Sequence, residues 1–366
     1  MTRSTDRRTF IAASAALAVL PAVARAAPET IKMFVGTYND KTHKGLYPLT
    51  YDAARDAWAL GDVVPQAENV SFGAYSPKHR LHYLLNEQDD GKVAAFSAKG
   101  WTSHGDLSTH GASPAYISLN AEQSMIAMAN YSTGDVVFYA LDAKGLPHEP
   151  AIIRQNSGKG PNTDRQQGPH AHWVQFASDH IYSVDLGTDQ VLKYSYDAKT
   201  QAVGEHEVAF QAPPGIGPRH LAFHPNGRNA YLVTELGNTV IALRREGGDL
   251  KEIQTLSTLP ADFTAHSQAA HLVLNKAGTR LYASNRGHNS IAVFAINDDG
   301  TLKLLQIQPT LGDWPRFFLL MEAQKRLVVA HQNGGTLVVF KVAEDGTLAP
   351  AGQSLTVPSP VYIGNV

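Results

Sequence analysis

The chain has no cysteine among its 366 residues, which excludes disulfide staples and thiol catalysis and leaves it compatible with any redox compartment. A chain of this length without staples must be held by its core, and 43% apolar residues against 17% charged ones supply the material. Excess charge is lacking too. The formal net charge is −2 and no long run carries one sign, so the sequence does not read as a polyanion binder and nucleic acid is not an expected partner. Helix-period patterning is scarce, and no helix of consequence is expected. Neither Gly36-Thr37-Tyr38 nor Ser284-Asn285-Arg286-Gly287-His288-Asn289 opens a helix, which excludes a phosphate cradle of the P-loop type. No haem motif is present, so redox chemistry would need a partner subunit.

What is present begins with an address. Arg7-Arg8-Thr9-Phe10 precedes an apolar stretch from Ile11 to Ala24 and a small-residue site at Ala24-Arg25-Ala26, the layout of a cleaved signal peptide. The paired arginines followed by Phe10 resemble a twin-arginine export signal, although Asp6 and Ala12 depart from the usual flanks and an ordinary secretory signal is the alternative. The stretch is too short, and interrupted by Pro21, to span a bilayer. Residues 1–26 are therefore read as a cleaved signal recognised by the twin-arginine machinery. Residues 31–366 are read as one exported, periplasmic domain with no membrane attachment. Cleavage removes four arginines and one aspartate, which leaves a mildly acidic mature chain.

The mature chain repeats itself. In its fourth copy, Gly217-Pro218-Arg219-His220-Leu221-Ala222-Phe223, Asn229-Ala230-Tyr231-Leu232-Val233-Thr234-Glu235 and Thr239-Val240-Ile241-Ala242-Leu243 read as three strands separated by polar turns, with a fourth strand expected at 253–259. The position of Glu235 is held elsewhere by Glu87, Tyr131, Leu186, Arg286 and Gln332, at spacings of 44, 55, 49, 51 and 46. A period near 49 with four strands per unit predicts an all-β propeller. Leftover strands at Lys32–Tyr38 and Gly45–Thr50, with Val361–Gly364 at the other end, predict a seventh blade closed from both termini. The alternative is six blades with a loose hairpin. A closed ring has no free edge, and a monomer is expected.

In each unit the start of the first strand and the finish of the second lie at the same end. Charged groups that differ from copy to copy gather there, at one mouth of the central channel. The starts include His170 or His172, whose register the spacing leaves open, and Arg219 and Arg316, with His220 and His271 beside them. The finishes include Glu87, Asp185, Glu235, Arg286 and Gln332. Structural residues would recur in every copy, so these exceptions read as a site for an anionic or polyhydroxylated ligand, with proton transfer. The bland reading is a Pro-Arg or Pro-His repeat signature. The pair His170 and His172, with Asp185 or Glu235, also has metal-ligand spacing. Arg219 and Arg286 would oppose a dication, and no metal or other cofactor is expected.

Taken in order, Gly168-Pro169-His170-Ala171-His172, Asp185-Leu186-Gly187-Thr188-Asp189, Gly217-Pro218-Arg219-His220, Thr234-Glu235-Leu236, Tyr282-Ala283-Ser284-Asn285-Arg286-Gly287 and Trp314-Pro315-Arg316 resemble the seven-bladed β-propeller lactonase family, which includes 6-phosphogluconolactonases. The resemblance runs from about Met33 to the C-terminus. It implies a lactone substrate and a catalytic set on His172 or His170, Arg219, Glu235 and Arg286, with Arg316, His220, His271, Asp185 and Gln332 as further substrate-binding candidates. His271 stands where relatives usually carry an acid, and Thr234 where they often carry Asn. The implied reaction is metal-independent: a histidine deprotonates water, and the arginines stabilise the oxyanion, at roughly 3–4 kcal/mol per donor. An exported member is expected to meet unphosphorylated aldonolactones. The rival reading is a non-catalytic periplasmic binding or scaffold propeller, which arginines scattered over the rim would favour.

Overall fold

Among the described residues, polar turns separate 28 strands, numbered β1–β28 in chain order, which form seven four-stranded antiparallel sheets. The computed structural model describes residues 30–39 and 45–366; the signal expected at residues 1–26 lies outside them. The innermost strands are β4 (Val70–Ser76), β8 (Pro114–Leu119), β12 (Ala171–Phe176), β16 (Pro218–Phe223), β20 (Gln268–Leu274), β24 (Pro315–Met321) and β28 (Pro360–Asn365). Each is followed in its sheet by a second strand: β5 (Leu81–Asn86), β9 (Met125–Asn130), β13 (His180–Asp185), β17 (Asn229–Thr234), β21 (Arg280–Arg286), β25 (Arg326–His331) and β1 (Thr30–Thr37). The innermost strands neighbour one another in ring order, β28 against both β24 and β4, so the sheets are the blades of a closed seven-bladed propeller. The seventh blade has the order β28-β1-β2-β3, with β2 at Tyr47–Asp52 and β3 at Ala57–Leu60. The expected closure from both termini is present.

Burial follows position in the blade. β9 and β17 are buried along their whole length because neighbouring blades cover both faces, which is why they read as unbroken apolar runs. Outer strands such as β7 (Ser103–Ser108) are mostly exposed. The fourth strand of the fourth copy, β19 (Asp249–Ser257), starts before the expected Ile253. Gly247 and Gly248, at φ +59° and +93°, close a two-residue hairpin between Glu246 and Asp249 and let the strand begin at once. The only helical turn among the described residues is the three-residue 3₁₀ segment Glu322–Gln324.

Blades are tied together by a recurring tyrosine. Tyr83, Tyr182, Tyr231 and Tyr282 hold the same position in four second strands. Their buried hydroxyls donate to the carbonyls of Gly145, Gly248, Gly300 and Gly346 in the next blade's outer turn, at 2.6, 2.9, 3.0 and 2.9 Å. Each phenol thus buries its ring between two blades while satisfying its polar end.

Candidate active site

One irregularity recurs and aims the site. In β8, β12, β16 and β24 the ladder skips one residue near the start: Ala115, His172, Arg219 and Arg316 sit between paired neighbours as β-bulges. A bulged residue is freed from the strand's alternation and its side chain is re-aimed, here towards one mouth of the channel. The same register removes the ambiguity at the third copy. Ala171 faces Asp185 as Pro218 faces Thr234, so His172, not His170, is the counterpart of Arg219.

The second strands contribute in alternation. Asn86, Asn130, Asp185, Thr234, Asn285 and His331 are held within the blade, whereas the next residue faces the mouth at Glu87, Tyr131, Glu235, Arg286 and Gln332; Leu186, in the third copy, is buried. This places Asp185 in a structural role. Its carboxylate accepts the backbone N–H groups of His170, Gly187 and Thr188 at 2.9, 2.9 and 3.1 Å and the Asn156 side-chain amide at 2.7 Å. With four donors on its carboxylate and no exposure, Asp185 clamps the loop that carries His170 and does not face the mouth. Gln332 does follow the mouth-facing register, half-buried, with its Oε1 lacking a partner.

At the centre stands Glu235, 3% exposed. Its Oε2 accepts from Arg219 Nε at 3.0 Å and pairs with Arg286 Nη2 at 2.8 Å, while its Oε1 accepts from Arg165 Nη2 at 2.5 Å. Burial alone would raise this carboxyl. Arg286, Arg219 and Arg165 outweigh it and hold the group well below the ordinary carboxylate value. Burial, and then Arg286, lower Arg219 to about 9, so it stays charged at neutral pH. Arg219 Nη2 and Arg286 Nη1 carry no hydrogen bond among the described residues and are not sealed from solvent. They are the donors left for a ligand. Beside them Arg316 pairs with Glu87 at 3.4 Å and lies 5.3 Å from the Tyr38 ring centroid. Four guanidiniums against two carboxylates leave the mouth positive.

The histidines divide into two sets. His172 is 4% exposed with Nδ1 buried and unpartnered, and burial, reinforced by Arg219, depresses its pKa well below the ordinary value. It is therefore neutral, with Nε2 left to the mouth. His170 stacks on Tyr131 at 4.6 Å, its Nδ1 donates to the Tyr131 carbonyl at 2.8 Å, and its Nε2 is buried without a partner among the described residues. His220 and His271 lie one residue deeper, in a layer formed by Phe72, Tyr116, Trp173, His220, His271, Phe317 and Tyr362, one ring from each blade. Centroid distances run from 4.1 Å for Phe72 with Tyr116 to 6.4 Å for Phe72 with His220. Here hydrogen-bond logic assigns the tautomers. Arg219 Nη1 can only donate, so His220 Nε2 accepts at 3.0 Å; His220 Nδ1–H then donates to His271 Nδ1 at 3.3 Å, and His271 carries its proton on Nε2. Burial and Arg219 keep both rings neutral.

Three contributors escaped the sequence reading. Arg165 comes from the long loop before β12, outside the repeat. Tyr131 holds Arg165 through its hydroxyl at 3.1 Å. Tyr38, raised above the ordinary phenol value by burial, follows β1. The last two occupy the position of Glu235 in their own blades; the fixed offset carried Tyr131, whose uncharged side chain concealed it, but did not reach Tyr38 in the blade split between the termini. No cluster of three or more potential metal ligands occurs among the described residues.

The family model for the seven-bladed β-propeller lactonases matches residues 32–364. A 6-phosphogluconolactonase of Bacillus subtilis is 34% identical over 297 residues, covering 78% of this chain and 84% of that protein. Among solved structures, a Lactobacillus plantarum protein superposes with a TM-score of 0.86 at 32% identity, covering 92% of this chain and all of the other. The periplasmic gluconolactonase of Pseudomonas aeruginosa superposes with a TM-score of 0.85 at 27% identity, covering 92% and 98%.

Proposed function

Since the chain belongs to the seven-bladed β-propeller lactonase family and is a lactone hydrolase, we propose that it opens a sugar δ-lactone at the Glu235 mouth without a metal, using His172 as general base. The observation that carries this reading is the convergence of a neutral imidazole with two ligand-facing guanidiniums that a single buried carboxylate holds in place.

His172 Nε2 takes a proton from a water whose oxygen attacks the ring carbonyl carbon. Negative charge develops on the carbonyl oxygen, where Arg219 Nη2 and Arg286 Nη1 donate to it. Their positions are set in advance, so little reorganisation opposes the transition state. Collapse breaks the ring C–O bond, and the imidazolium returns its proton to the departing oxygen, which becomes the hydroxyl of the product acid. That acid ionises to a carboxylate, which the same arginines bind. Glu235 aligns the guanidiniums and does not itself transfer protons, because its low pKa keeps it ionised. His220 and His271 act through Arg219 as positioning residues, and Arg316 with Tyr38 and Glu87 takes the far end of the sugar.

The cations of the mouth can bind the carboxylate that ring opening creates on an aldonolactone, and the periplasmic gluconolactonase among its relatives supports an unphosphorylated substrate and export of the chain. The clustering of the arginines at the channel mouth, not over the rim, favours catalysis over a scaffold role. The test is proton release from δ-gluconolactone and from its 6-phosphate, with and without a chelator, for the mature protein and for His172→Ala and His170→Ala. Loss of about 100-fold or more in kcat for His172→Ala alone is expected. Unchanged hydrolysis in that variant would transfer the base role elsewhere, and activity lost to the chelator would end the metal-free mechanism.

A further inference from the structure

A second cavity lies on the opposite face of the disc. β1 runs from that face to the mouth, so Lys32, near its start, and Tyr38, just past its end, stand roughly 20 Å apart along the strand. The cavity, of about 900 Å³, lies where the seventh, first and second blades meet, and Lys32, Arg80, Lys99 and Lys144 reach it from separate turns and strands. No aspartate or glutamate lines it, and none of these four cations forms an ion pair among the described residues. Its volume falls within the range of pockets that enclose compact organic ligands.

One wall is built of rings. Tyr75 and Trp101 line the cavity and enclose the buried ring of His82 between them, at centroid distances of 4.8 and 5.1 Å and interplanar angles of 32° and 25°. Phe34 meets Trp101 edge-on at 5.0 Å and locks the stack from behind. Trp101 holds this place at φ +55°, in the left-handed region that a bulky residue ordinarily avoids. The same conformation precedes the outer strand at Asp56 and Gln201, so the turn sets it and fixes the ring in place. A rigid aromatic wall facing several unpaired cations recognises a ring with attached anions: the wall covers the ring's apolar face, and the guanidinium and ammonium groups take carboxylates or phosphates.

We propose that this cavity is a second, non-catalytic site for an acidic saccharide, one or two sugar rings bearing carboxylate or phosphate groups. It is independent of the Glu235 mouth. The site recognises ring and charge together, and neither alone is sufficient.

Calorimetric titration of the mature protein tests this, with digalacturonate as the carboxylate probe, glucose 6-phosphate as the phosphate probe, and maltose and inorganic phosphate as controls. Gluconate is held at saturation so that the catalytic mouth is occupied. At least one acidic saccharide is expected to bind, at least tenfold more tightly than either control. Lys99→Ala/Lys144→Ala should weaken that binding tenfold or more while leaving lactone hydrolysis unchanged. Trp101→Asn, which tolerates the same backbone conformation, should weaken it without unfolding the blade. Binding by neither probe, equal binding of maltose or inorganic phosphate, or indifference to the lysine variant would each overturn the proposal.

Discussion

Glu235 is the residue on which the mouth turns, because three guanidiniums converge on its two oxygens. Removing one member of a buried charge cluster leaves the rest uncompensated, at a cost of about 3–5 kcal/mol. Glu235→Gln is therefore expected to lower the melting temperature markedly as well as abolish turnover, and paired melting and rate measurements check this. Arg165→Ala, which removes the most exposed of the three partners, should cost less stability and act chiefly on activity. The depressed pKa of His172 has a kinetic consequence. A general base works while unprotonated, so kcat/KM should stay flat as pH falls through 6.5 and decline only well below it; a half-maximal point near 6.5 would contradict the assignment. His271→Phe preserves stacking on Phe317 but removes the acceptor of His220. It should reduce kcat about tenfold, the worth of one buried hydrogen bond, without moving the acid limb.

At the scale of strands, the recurring tyrosines carry the contact between blades. Tyr231→Phe leaves the ring in place and the Gly300 carbonyl without its donor, so a loss of about 1 kcal/mol is expected in denaturant titrations, and the equivalent change at Tyr182 should match it. Strand count, blade order and terminal closure were legible in the sequence because every copy repeats the same turn spacing. Arg219, Glu235 and Arg286 were legible for the opposite reason, as departures from what the copies share. The bulges were not legible, since an extra residue at a strand start looks like an ordinary offset until the pairing is known. That is why His170 and His172 stood equal in the sequence. Asp185 misled for a related reason: it is one place short of the mouth-facing register, and a one-residue step along a strand reverses the direction of the side chain. Arg165 lies outside any repeat, and only the folded loop brings it to Glu235.

The whole molecule should respond sharply to acid. His82, His271 and His331 are buried, and burial lowers them to about 4, 3 and 4. Their protons are taken up more readily by the unfolded chain, whose histidines titrate near 6.5, so stability is full above that value and is lost as pH falls below it. By pH 4 each contributes a loss on the order of 3 kcal/mol, comparable in sum to the net stability of a domain. Thermal melts across pH 8 to 4 should show the decline begin close to 6.5, and a melting temperature that held constant to pH 5 would contradict the buried, neutral state. The seventh blade ties the site to the closure of the ring. Tyr362 of its innermost strand, β28, completes the layer of rings beneath the mouth, and the pairing of β28 with β1 closes the disc. A chain cut before Pro360 can hold all of Arg219, Glu235 and Arg286 and still lack a floor under them. Hydrolysis thus reports on a closed ring, and a variant stopped before Pro360 should be inactive even where its other six blades survive.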